Sequence, residues 1–80
     1  MTAKPEDAMR ISMAIRPLLA GHSPELQGAV LGDLVSLFIA GHHPQLRDMV
    51  LDQHIELVRN LVPESEKEII RQYGSKPEGW

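Results

Sequence analysis

Apolar side chains recur along this chain at intervals of three and four residues, the spacing of a helix rather than the strict alternation of a strand. The pattern is densest from Ser23 to Ala40. On a wheel of about 100° per residue, Leu26, Val30, Leu31, Leu34, Val35, Leu37 and Phe38 fill one half of that segment, broken only by Gln27 near the start. The other half is small: Gly28, Gly32, Ser36 and Ala40 fall at four-residue steps, flanked by Ala29 and Ile39, and Asp33 is the only charge inside the helix body. A helix of this kind needs cover on two faces.

The flanking patterns predict further helices. Before it, Pro5 followed by Glu6 and Asp7 has the form of a helix start, with a proline at the first helical position and acids facing the positive end of the dipole. Residues 1–4 read as a frayed terminus. The apolar stripe of this first helix is Ala8, Ile11, Ile15, Leu18 and Leu19, and Pro17 inside it predicts a kink, or a break followed by one turn to Ala20. Gly21 at a left-handed C′ position, Ser23 as N-cap and Pro24 at the first helical residue then mark the start of the second helix, 24–40.

Twenty residues on, the same grammar returns. Ala40-Gly41-His42-His43-Pro44-Gln45-Leu46 answers Ala20-Gly21-His22-Ser23-Pro24-Glu25-Leu26, and Val30/Val50, Leu31/Leu51 and Leu37/Leu57 extend the likeness, so a short internal repeat is present, too brief for a solenoid. The third helix, 44–62, is ordinarily amphipathic. Leu46, Val50, Leu51, Ile55, Leu57, Val58, Leu61 and Val62 lie on one half of its wheel and Asp48, Asp52, Gln53, Glu56, Arg59 and Asn60 on the other. At the centre of its apolar half stands His54, where the repeat has Leu34. Pro63 predicts the end of this helix, and Ser65 to Glu68 form a capping-box pattern opening a short fourth helix that ends at Gly74. Residues 75–80 read as a tail.

Composition narrows the function classes. Eighty residues allow one domain, 1–80, with one small core, and at that size the hydrophobic gain barely offsets conformational entropy unless something is added. There is no cysteine, which excludes disulfides and thiolate metal sites and fits a reducing cytoplasm. Association between chains is the remaining addition. Glu6 and Asp7 stand where a signal peptide would need an apolar core, and no apolar run approaches the ~20 residues of a membrane span, so a cytoplasmic protein, bacterial in style, with no membrane partner is expected. A net charge of −3 without a local basic cluster argues against nucleic acid. Two helices joined by a short Gly-containing turn have the outline of a helix-turn-helix. Here, however, Asp48 and Asp52 would face phosphates at the start of the third helix, so DNA binding is the weakest of the readings.

Candidate chemistry is sparse. His22, His42, His43 and His54 are the only imidazoles, no two of them lie four apart on one helix, and the known zinc spacings are absent, so no metal site and no cofactor is expected. His22 and His42 follow helix C-termini, where an imidazole can bond free carbonyls, and His43 replaces Ser23 as a weaker N-cap acceptor. His54, with Arg47 two turns earlier and Asp33 as a candidate partner, makes a polar core or switch candidate that should be mostly buried. No nucleophile elbow, carboxylate pair or phosphate loop points to an enzyme.

The sequence therefore predicts an all-α domain, a small helical bundle of three main helices plus the short C-terminal one. The second and third helices form an antiparallel hairpin about the turn Gly41 to His43, and the first lies across them. Its expected role is a non-enzymatic interaction or oligomerisation module, a homodimer favoured, with Gly28, Gly32, Ser36 and Ala40 as interface candidates because glycine inside a helix needs a closely passing backbone to justify it. The alternative is a small-ligand or metal-binding regulator using His54, Arg47 and the turn histidines. A ligand site should leave a concave pocket at His54.

Overall fold

Proline starts three of the helical segments, as its fixed φ and missing N–H dictate. In a computed structural model describing residues 4–80, α1 spans Pro5–Leu19, α2 spans Pro24–Ala40 and a 3₁₀ turn, Pro44–Leu46, leads directly into α3, Arg47–Tyr73. The protein is all-α, with no strand among the described residues. Of the four residues expected to fray, only Lys4 is described, and it caps α1 with extended φ and ψ of −83° and 141°.

α1 runs through Pro17 without a break, so of the two outcomes expected there the interruption does not occur. Its last amide bond is from Ala20 N–H to the Arg16 carbonyl, 3.0 Å, after which Ala20 turns extended and Gly21 takes φ +82°. That left-handed value is the one glycine adopts without a Cβ penalty. Ser23 then accepts the Leu26 N–H on its hydroxyl at 3.2 Å, the cap expected of it.

A separate fourth helix does not exist. α3 continues through Pro63 and the Ser65 to Glu68 segment as one helix of 27 residues, and Gly74 closes it at φ +78°. Pro63 forfeits one hydrogen bond to the Arg59 carbonyl, but no glycine follows it before Gly74, and Glu64, Glu66, Lys67 and Glu68 are good helix residues. The exposed Lys67–Glu64 pair at 3.4 Å, three residues apart, adds only a few tenths of a kcal/mol. Ser65 thus sits mid-helix rather than at a cap.

The chain divides into two units, Met1–Leu37 and Phe38–Trp80. In the first, Ile15 and Leu19 of α1 and Val35 of α2 are half-buried; in the second, Val50, His54, Ile69 and Ile70 of α3 are. None of the described residues is fully buried. The apolar half of α2, which should be covered on two faces, instead leaves Leu26, Leu31, Leu34 and Leu37 exposed, Leu37 at 63%. The stripe of α3 does the same at Leu57, Leu61 and Val62.

Candidate functional site

The two turns repeat at the level of individual hydrogen bonds. After α1, the Gln27 side chain donates from Nε2 to the His22 carbonyl at 2.9 Å; after α2, twenty residues on, Arg47 donates from Nε to the His42 carbonyl at 3.1 Å. Each helix start has its acceptor as well, Ser23 Oγ for the Leu26 N–H and His43 Nδ1 for the Gln45 N–H at 3.1 Å. Arg47 does more than its counterpart. A second bond runs from Nη2 to the Ala40 carbonyl at 2.8 Å, so one guanidinium spans two carbonyls left over at the end of α2.

The second turn also carries the ring cluster of the molecule. The His42 imidazole reaches back to the Phe38 carbonyl, Nδ1 to O 2.8 Å, and meets the Phe38 ring edge-on at 5.0 Å and 84°. The His54 ring also neighbours Phe38, its centroid 5.5 Å away and its plane tilted by 49°. These separations are those of favourable aromatic pairs. His54 is half-buried rather than mostly buried, and Arg47, two turns earlier, is half-buried but committed to backbone carbonyls. Asp33 belongs to the first unit; its carbonyl accepts the Ser36 hydroxyl at 2.8 Å, and its carboxylate makes no bond among the described residues.

At the first turn, by contrast, there is a hollow of about 340 Å³. Leu18 and Leu19 of α1 and Leu26, Val30 and Leu34 of α2 supply its apolar wall, and His22 and Gln27 are its polar members. This concavity had no signature in the hydrophobic pattern.

The small-residue stripe lies open. A Cβ added to Gly28 or Gly32 would meet nothing within 4 Å, so no neighbouring backbone in the described chain accounts for either glycine. Among the described residues, no three His, Asp or Glu side chains are grouped as a metal ion would require, and no helix is long and apolar enough to cross a membrane. No protein-family model, curated protein or solved structure matches the chain.

Proposed function

We propose that the chain is a non-enzymatic oligomerisation module whose partner is a second copy of itself. The observation that supports this is the absence of any buried side chain among the described residues, in a sequence that is 42% hydrophobic. Ordering backbone costs about 1–2 kcal/mol per residue and is offset mainly by removing apolar area from water. Helices of 15 and 17 residues are near the ~12–15 residue length at which isolated helices are marginal. A lone chain with this exposure lacks the burial that would hold its helices.

In this reading the small bundle, with α2 and α3 antiparallel and α1 across them, is the form the chain takes once a second copy closes over its apolar stripes. Gly28, Gly32, Ser36 and Ala40 are the face of α2 where two backbones would come closest. The ligand reading has less behind it: the hollow is at His22 rather than His54, Arg47 is bound to carbonyls, and His54 is engaged by Phe38.

Sedimentation equilibrium of the purified chain is the direct test. A mass of two chains or more at micromolar concentration is expected. A mass of one chain at every concentration, with full helical circular dichroism, would overturn the reading.

A further inference from the structure

α3 carries two apolar stripes side by side. Val50, His54, Leu57 and Leu61 recur at steps of four, three and four residues, and Leu51, Ile55, Val58 and Val62 repeat the same steps one residue on, about 100° further round the helix. The chain itself uses the start of the first stripe, where Val50 and His54 are half-buried and His54 meets the Phe38 ring. The second has no such cover, all four of its side chains being exposed.

A stripe of this spacing is the seam of a helix paired with another helix, and the residues bordering the seam set the partner and its direction. The uncovered stripe is bordered on one side by Asp52 and Arg59, one heptad apart and opposite in sign. Neither makes a hydrogen bond or an ion pair among the described residues, so both charges are free to meet a partner. The first stripe has no charge along either border between residues 50 and 61. Only the second therefore carries a charged edge that a partner could match.

That edge is complementary to itself. We infer that α3 pairs through Leu51, Ile55, Val58 and Val62 with α3 of a second copy running antiparallel to it, an inference that rests on the oligomerisation reading and gives it a face and a register. In an antiparallel pair each border meets the same border of the other helix, so Asp52 of each copy comes against Arg59 of the other, twice by symmetry. Leu51 then lies opposite Val62 and Ile55 opposite Val58, and Asp48 opposite Ser65 closes both ends with a polar layer. The other pairings lose the charge match. A slip of one heptad sets Asp52 against Asp52, or Arg59 against Arg59. A parallel pair brings Asp52 to Arg47, whose guanidinium already holds the Ala40 and His42 carbonyls, and Arg59 to His54. Charges at such a border select among pairings even where they add little affinity.

Two charge reversals in the full chain test this by sedimentation equilibrium. Asp52→Lys sets cation against cation and Arg59→Glu anion against anion, each at two places in the pair, and each should raise the dissociation constant roughly tenfold or more. An equimolar mixture of the two variants should recover a mass of two chains, with a dissociation constant within about threefold of the parent's, because every facing pair is then of opposite sign. The two positions are two turns apart on one helix and do not pair within it, so the recovery has to come from another chain. If both variants associate like the parent, the α3 seam is overturned and oligomerisation stands. If both dissociate and the mixture does not recover, the antiparallel register is overturned. A parent chain that keeps the mass of one chain at every concentration overturns both readings.

Discussion

Arg47 is the residue whose role the structure changes most. A guanidinium on the apolar side of a helix suggested a polar core, and it instead ties off the end of the preceding helix through the Ala40 and His42 carbonyls. Hydrogen bonds from a charged donor are worth about 1.5–3 kcal/mol when sheltered, and half-burial reduces that, so Arg47→Ala should cost about 1–2 kcal/mol. Arg47→Gln should recover part of the loss, because Gln27 makes the equivalent single bond at the first turn. Urea titrations at one fixed protein concentration measure both, and equal losses would show that the Ala40 bond carries the whole effect. His43 tests the other side of the same turn: its ring nitrogen caps the Gln45 N–H, a task for which serine is the better residue, so His43→Ser should stabilise by about 0.5–1 kcal/mol in thermal melts. A destabilised variant would mean that the imidazole makes a contact in the assembled protein.

At the scale of elements, what was legible in the sequence is what local chemistry decides alone. Pro5, Pro24 and Pro44 each begin a helical segment, and Gly21 and Gly74 each end a helix in the left-handed region. Pro63 lies inside α3 rather than at its end, because this residue type stops a helix only when its neighbours supply somewhere else to go. The Ser65 to Glu68 box offered a start, but no glycine precedes it to take a left-handed cap, and α3 accepts one missing bond instead of two new ends. The hollow was illegible for a different reason: it depends on how the side chains of α1 and α2 meet around the first turn, which a one-dimensional pattern does not carry. α2 carries the sharpest expectation at this scale. With open space beside Gly32, Gly32→Leu should make an isolated helix better by up to about 1 kcal/mol, yet it would place bulk where a second backbone must approach, an overpacking cost of about 1–3 kcal/mol. If a second backbone packs on this face, molar mass and, with it, helical content should fall at concentrations where the parent chain is associated and helical. A higher melting point at unchanged mass would show that nothing packs on this face.

For the whole molecule, the relevant quantity is apolar surface without a counterpart. If a second copy provides it, binding and folding are one equilibrium, and the thermal midpoint must rise with total chain concentration. A tenfold increase in concentration should raise it by several degrees, read by circular dichroism at 222 nm. A midpoint independent of concentration would place the stabilising contacts within one chain.

The side-chain hydrogen bonds described above all join residues seven or fewer apart, the longest being Arg47 to Ala40. Such links close small loops, and helices with local turns form on the order of microseconds. Nothing in that inventory is slow. If a second copy supplies the missing burial, as proposed, the slow step is an encounter between molecules, so refolding from denaturant should follow second-order kinetics, its half-time shortening in proportion as the chain is made more concentrated.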